Sequence, residues 1–203
     1  MCYHISLAAG PSELAARYGR KADLIERFKP LYHVSAFSYP EYPVVTSDLE
    51  IELFRWGLIP FWADELEDAF ELRYRTFNAR AETVTEKPMF RRSIAFQRCV
   101  IPATGFYEWD AAKHKYFFQM PGQPLYLAGI YDNISGVNCF IILTTEPNDS
   151  VAPIHDRMPL LLSHEQVRPW LVDAGAALEL LCSRPPLLQR TSCDGQLGFD
   201  DLA

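Results

Sequence analysis

The stretch between Arg98 and Thr145 limits the fold more than any other part of the sequence. It contains successive runs of strand length, rich in aromatic and branched apolar residues and separated by turn residues: RCVIPA, GFYEWD, KYFFQM, PLYLAGIYD and NCFIILTT. Such a series favours an antiparallel sheet. Shorter helical segments precede and follow it. We therefore predict an α+β fold in one domain over residues 2–203, with a curled, barrel-like antiparallel β-sheet flanked by short helices.

The rest of the chain supplies the flanking elements. Residues 2–8 and 51–58 are predicted strands, and the connection at 60–76 has room for a short helix. Further predicted helices cover 12–18 with Ser12 as N-cap, 21–28, 78–84 with Asn78 as cap, a segment from Pro88, and a segment from Ser163 that Pro169 should end or bend. A last helix and a tail occupy 173–203.

Composition excludes several classes of protein. The length of 203 residues suits one domain with a sizeable core. Five cysteines, an odd number without a CxxC pair, argue against a disulfide framework and against zinc. No apolar run is long enough to cross a membrane, and no secretory signal is present. We therefore expect a cytoplasmic monomer without cofactor or metal.

Charge is unevenly distributed along the chain. The net charge is −7, which disfavours indiscriminate binding to nucleic acid. Between Arg73 and Arg98, however, seven Lys and Arg residues stand against two Glu residues. A local basic stretch on an acidic protein indicates a binding site for a narrow anionic ligand or nucleic-acid strand. The alternative is a solvent-exposed face whose charges form ion pairs.

Cys2 directly follows the initiator methionine. A lone cysteine is more often a small buried apolar residue than a nucleophile. If Met1 is removed, however, Cys2 carries a free α-amine and a thiol on neighbouring carbons, and both can attack one aldehyde carbon. The pKa of a free α-amine is about 8, so a useful fraction is neutral near pH 7.

Three further stretches place polar groups among apolar ones. In a predicted helix, Asn78 and Glu82 share a face while Arg80 points elsewhere, so Asn78 and Glu82 are candidates for one functional surface. The alternative is that Asn78 only caps the helix and that the charged residues lie on the protein surface. In GFYEW, strand alternation puts Phe106 on the same side as Glu108, and a carboxylate among aromatic groups keeps its proton to higher pH. His155 lies where a loop meets a strand, a position that favours a functional histidine over a purely structural one.

Together these residues supply a nucleophile, an orienting amide, a proton-transferring carboxylate, a histidine and arginines for an anion. Three functions fit. Imine chemistry on an aldehyde is one, and a thiol peptidase or amidase that uses Cys2 with His155 is another. The third is a non-catalytic binder of single-stranded DNA that uses the basic stretch and nearby aromatic residues.

The order and spacing of several motifs resemble the SOS-response-associated peptidase (SRAP) family. The motifs are Cys2, WGLIPFW from Trp56, NARAET from Asn78, RCVIPATGFYEW from Arg98, GIYD, TTEPN, and IHDRMPLLL from Ile154. The resemblance covers residues 2 to about 172. It implies recognition of abasic sites in single-stranded DNA, at the nucleoid, and a covalent thiazolidine cross-link to the N-terminal cysteine that shields the lesion. It also implies loss of Met1, by autoproteolysis or an aminopeptidase, and leaves a lyase step open.

The resemblance also assigns roles to individual residues. Cys2 would form the cross-link, Asn78 would orient it, Glu108 would transfer protons, and His155 would assist at the Schiff-base stage. For DNA, Arg80 would hold a backbone phosphate, with Arg91, Arg92, Trp62 and His4 as further contacts. The family usually begins Cys-Gly-Arg, whereas this chain begins Cys2-Tyr3-His4. Because histidine is largely neutral at pH 7, we expect weaker or more pH-dependent DNA binding.

Overall fold

A computed structural model describes residues 2–58, 76–134 and 136–194. Trp62 and the predicted helix in the 60–76 connection lie outside the described residues, apart from Thr76. The strands are β1 His4–Leu7, β2 Leu31–Ser35, β3 Glu41–Val45, β4 Ile51–Trp56, β5 Asn78–Arg80, β6 Arg98–Ala103, β7 Gly105–Trp109, β8 Lys115–Gln119, β9 Leu125–Ile134, β10 Val137–Thr145, β11 Met158–Pro159, β12 Leu161–Leu162 and β13 Gln189–Ser192. The helices are α1 Pro11–Tyr18, α2 Pro88–Phe96, α3 His164–Val172 and α4 Ala174–Leu180, with 3₁₀ turns at Asp23–Ile25 and Ala36–Ser38.

Five strands close into a barrel in the order β10-β4-β3-β6-β9, and β9 pairs with β10 to complete the ring. The predicted barrel-like sheet with flanking short helices is confirmed. Most of its pairs are antiparallel, but β10 runs parallel to both β4 and β5. The interior is tightly packed: a Cβ atom added to Gly129 would lie 2.3 Å from Ile101 Cδ1 and 2.6 Å from the carbonyl oxygen of Ile141.

A second sheet, in the order β13-β8-β7-β1-β2, brings the start of the chain beside the GFYEW motif. Antiparallel pairing sets His4 opposite Tyr107 and Ile5 opposite Phe106. The predicted alternation in β7 is confirmed: Phe106 and Glu108 are buried, whereas Tyr107 and Trp109 are partly exposed. The β1–β7 pairing therefore carries Cys2 toward the strand that holds Glu108.

Two helix predictions are wrong. Residues 78–80 form strand β5 rather than the start of a helix, because their backbone pairs with β10: Asn78 lies opposite Ile142. Long-range pairing here overrides the local capping tendency of asparagine. Residues 21–28 contain only the 3₁₀ turn Asp23–Ile25.

Helix ends also differ in detail from the sequence prediction. The N-cap of α1 is Gly10, with a proline as first helical residue, rather than Ser12. Helix α3 begins with the predicted cap, where Ser163 and Gln166 form a capping box. Pro169 lies inside α3, which continues to Val172. No helix among the described residues is long and apolar enough to cross a membrane.

The C-terminal segment is held against the body of the protein. After α4, the buried side chain of Asn148 donates hydrogen bonds to the carbonyl oxygens of Pro185 and Pro186, at 3.2 and 2.7 Å. The chain then adds β13 to the edge of the second sheet by antiparallel pairing with β8. The asparagine of the TTEPN motif therefore anchors this tail.

Candidate active site

Cys2 is fully buried in the chain that still carries Met1. Burial raises the pKa of the Cys2 thiol well above its ordinary value, and the charge of Glu108 raises it further. The thiol is therefore protonated at neutral pH. Because His4 pairs with Tyr107, the residues before His4 run beside the residues after Tyr107, which brings Cys2 near Glu108.

Glu108 is a buried carboxyl group on β7, only 5% exposed. Burial raises its pKa from 4.5 to about 7, and the charge of Asp156 adds to the effect. Both protonation states are then populated at neutral pH. A carboxyl group in this condition can donate and accept a proton without a change of pH, as general acid–base catalysis requires.

His155 faces Glu108 from the turn before β11. Its Nε2 atom lies 3.9 Å from Glu108 Oε2. Burial lowers the pKa of His155, so the ring is neutral at pH 7. The backbone N–H of Arg157 donates to His155 Nδ1 at 3.0 Å, which places the ring proton on Nε2, toward Glu108.

Asp156 also approaches the His155 ring, with Oδ1 at 3.0 Å from Nδ1. The Asp156 side chain is 85% exposed, so water screens its charge, whereas the Arg157 backbone is fixed by the contacts of its side chain. The neutral ring therefore keeps Nδ1 as an acceptor. When the ring takes up a second proton, Asp156 is in place to stabilise the imidazolium.

A bidentate ion pair fixes the turn that carries His155. Arg157 Nη1 and Nη2 donate to the two carboxylate oxygens of Glu82 at 2.9 and 2.8 Å. Arg157 Nη2 also donates to the carbonyl oxygen of Thr144 at 2.7 Å. The Arg157 side chain is 9% exposed and that of Glu82 is 40% exposed, so the guanidinium is buried while the carboxylate reaches the surface. Glu82 follows β5 closely, and the pair therefore ties the His155 turn to the segment that begins with Asn78.

Asn78 is 8% exposed, and neither atom of its side-chain amide has a hydrogen-bond partner among the described residues. Its backbone is firmly held, because the indole of Trp56 and the amide of Ile142 both donate to the carbonyl oxygen of Phe77. Phe77 in turn packs against Tyr3, at a ring distance of 6.1 Å. A fixed, buried amide without a protein partner is suited to hydrogen-bonding a ligand or a neighbouring reactive group.

His4 lies on the partly exposed face of the second sheet. Its Nδ1 atom is hydrogen-bonded to His33 Nε2 at 3.1 Å, and its ring packs at 4.7 Å against Trp109. Burial, together with the charges of His33 and Lys115, lowers the pKa of His4 to about 4. His4 is therefore neutral at pH 7 and offers hydrogen bonding and stacking rather than positive charge.

The arginines of the basic stretch have different surroundings. Arg80 is exposed at the end of β5, and Arg91 and Arg92 are exposed on α2. Arg98 is buried and donates to the carbonyl oxygens of Trp170, Ile94 and Ala95, so it supports the fold. The basic stretch therefore does not act as a single surface.

Sequence reasoning missed the Glu82–Arg157 pair and the His4–His33 contact. Each joins residues from distant segments, 75 and 29 positions apart, and no local pattern signals them. The fold brings the predicted site residues Cys2, Glu108 and His155 close together. Within the described residues, no group of three or more His, Cys, Asp or Glu side chains is arranged to hold a metal ion.

Comparisons with known proteins agree with these features. A profile of the SOS response associated peptidase (SRAP) family matches residues 1–190. Abasic site processing protein YoaM of Bacillus subtilis is 42% identical over 127 residues, which is 58% of this chain and 54% of that protein. Abasic site processing protein YoqW of the same bacterium is 36% identical over 165 residues, 72% of this chain and 71% of the relative.

A solved structure shares the fold. The crystal structure of a protein from Bacteroides thetaiotaomicron superposes with a TM-score of 0.88 at 37% sequence identity. The superposition covers 94% of this chain and 91% of the other. The barrel and the second sheet are therefore an arrangement shared with a protein of clearly related sequence.

Proposed function

The chain belongs to the SOS response associated peptidase (SRAP) family, and from this premise we propose that it captures abasic sites in single-stranded DNA through a covalent bond to Cys2. The names of YoaM and YoqW, abasic site processing proteins, support the substrate class. The observation that carries the proposal is the buried Glu108 carboxyl, with a pKa of about 7, beside His155 and near Cys2.

The reaction begins with the sugar. An abasic sugar is mostly a closed hemiacetal, and Glu108 transfers the protons that open it to the aldehyde. The amine of Cys2, freed by removal of Met1, attacks C1′, and loss of water gives an imine. His155, with its proton on Nε2, is oriented to protonate the departing oxygen.

The thiol then completes the capture. Its sulfur bonds to the imine carbon, its proton passes through Glu108 to the nitrogen, and a five-membered thiazolidine results. Because the thiol pKa is raised, this step depends on a nearby base that accepts the proton. Ring closure is intramolecular and gains the proximity advantage, on the order of several kcal/mol.

The remaining predicted residues are assigned to DNA and positioning. Asn78 orients the reacting group through its unpartnered amide. The exposed Arg80, Arg91 and Arg92 are phosphate contacts by charge, and Trp62 and His4 are stacking contacts by type.

A denaturing gel tests the proposal directly. Protein mixed with single-stranded DNA that contains one abasic site should give a shifted band, and Cys2→Ala should give none. Cys2→Ser should form an imine that borohydride traps but no stable thiazolidine. Absence of the band with the wild-type chain, or its persistence in Cys2→Ala, contradicts the proposal. Intact mass spectrometry should show a chain without Met1.

The thiol peptidase alternative is less well supported. Such enzymes need a thiolate, and a low thiol pKa supplies it. Burial instead raises the pKa of Cys2. Turnover of peptides that requires Cys2 but is indifferent to DNA would favour the peptidase over the cross-linker.

A further inference from the structure

A cavity lies between α1 and α3, and none of the residues assigned to the abasic-site reaction lines it. Its volume is about 450 Å³. Arg17 and Arg20, from α1 and the residues after it, line one side, and His164 and Arg168 of α3 line another. Leu171 and Val172 form part of an apolar wall. We call this the arginine cavity.

The charged side chains that line the arginine cavity are all basic, and no carboxylate lines it. Arg17 is paired with Glu13, one turn earlier on α1. Arg20 and Arg168 have no ion pair or side-chain hydrogen bond within residues 2–58, 76–134 and 136–194. In a protein of net charge −7, where acidic partners are plentiful, two unpaired guanidinium groups at one concave surface are unusual.

Polar groups at the edge of the arginine cavity are also incompletely bonded. The Tyr18 hydroxyl and Arg20 Nε are buried and have no hydrogen-bond partner among the described residues. His164 uses Nδ1 in a 3.2 Å contact with the hydroxyl of Tyr126, which leaves Nε2 for another partner. Buried polar atoms without partners are uncommon and mark places where hydrogen bonds are completed by another molecule.

From these observations we propose that the arginine cavity binds a small phosphate-bearing ligand of mononucleotide size. Guanidinium groups match the geometry of phosphate oxygens and form charge-assisted hydrogen bonds with them. The volume lies in the range of small-molecule sites, and the apolar wall suits a ring or chain attached to the phosphate. This proposal is independent of the reaction at Cys2.

Isothermal titration calorimetry on the full chain tests the proposal with adenosine monophosphate as probe and uncharged adenosine as its matched control. We expect adenosine monophosphate to bind and adenosine not to bind. Arg20→Gln and Arg168→Gln should each weaken binding about tenfold or more, since hydrogen bonds to charged groups contribute on this scale. Arg184→Gln, an exposed arginine outside the cavity, should bind like the wild type.

Three results would overturn the proposal. The first is that adenosine monophosphate does not bind at millimolar concentration. The second is that its binding survives both Arg20→Gln and Arg168→Gln. The third is that a 5′-phosphorylated oligonucleotide binds through these arginines while the mononucleotide does not. Thermal melts of each variant confirm that it folds. Arg20→Gln should still cross-link abasic DNA at the wild-type rate, so failure of the cavity proposal and failure of the cross-linking proposal give different results.

Discussion

Replacing Glu108 with glutamine should stabilise the protein at alkaline pH while abolishing its chemistry. The Glu108 side chain is 6% exposed, and its pKa rises from 4.5 to about 7 in the folded protein. At a pH between these two pKa values, Glu108 is protonated in the folded state and ionised in the unfolded state. The free energy of unfolding therefore falls as pH rises, and the stability associated with the protonated group is lost above pH 7.

The size of the effect follows from the two pKa values. A tenfold change in proton affinity corresponds to about 1.4 kcal/mol, so the full difference is roughly 3 kcal/mol. Most of it, about 2 to 3 kcal/mol, develops between pH 5 and pH 8. Glu108→Gln keeps the shape of the side chain and cannot ionise. Its stability relative to the wild type should therefore increase by that amount over this pH range.

Urea unfolding at pH 5 and pH 8 measures the difference. Glu86→Gln is the matched control, because Glu86 is exposed and its replacement should leave the pH dependence unchanged. A stability difference between Glu108→Gln and wild type that is the same at both pH values would refute the reasoning. The cross-linking rate of the wild type should change with an apparent pKa near 7, and the variant should be inactive at every pH.

Three further predictions follow from the site. Asn78→Leu should change the free energy of unfolding by less than about 1 kcal/mol in urea titrations, since the lost amide has no partner among the described residues, but should strongly reduce cross-linking. Glu82→Gln should cost about 1 to 2 kcal/mol because it weakens the bidentate pair with Arg157, and ¹⁵N shifts of the imidazole should show that His155 no longer keeps its proton mainly on Nε2. His4→Arg should tighten binding to single-stranded DNA and increase the slope of log affinity against log salt by about one, as measured by fluorescence anisotropy at several salt concentrations.

The sheet could be predicted from sequence because its signals are local. Each run between Arg98 and Thr145 has the apolar, β-branched character and the bounding turn residues of a strand, and each forms one. Helix α2 likewise begins at the proline that marked it. The barrel-like shape is also predicted from these segments and their order, whereas the strands that close it, β9 and β10, are known only from the structure.

The strand at Asn78 could not be predicted, because its cause lies elsewhere in the chain. Asparagine before a polar, alanine-rich segment favours a helix cap, and only the parallel pairing with Ile142 on β10 turns the segment into a strand. The Glu82–Arg157 contact depends on that strand. A helix would have carried Glu82 to the same face as Asn78, whereas the strand and turn direct it to the His155 turn.

The site combines groups that oppose folding with one that supports it. Glu108 is buried with a raised pKa, and the buried amide of Asn78 has no partner in the part of the chain that the structure describes; each lowers the stability of the folded chain. The Glu82–Arg157 pair is bidentate, and its buried guanidinium is also bonded to the backbone at Thr144, so it holds the same region together. Loss of this pair should therefore affect the placement of His155 before it affects the barrel, which has its own apolar core. In the proposed reaction, Glu108 and Asn78 are the groups that act on the abasic sugar, and they do so at a place where apolar residues would pack better.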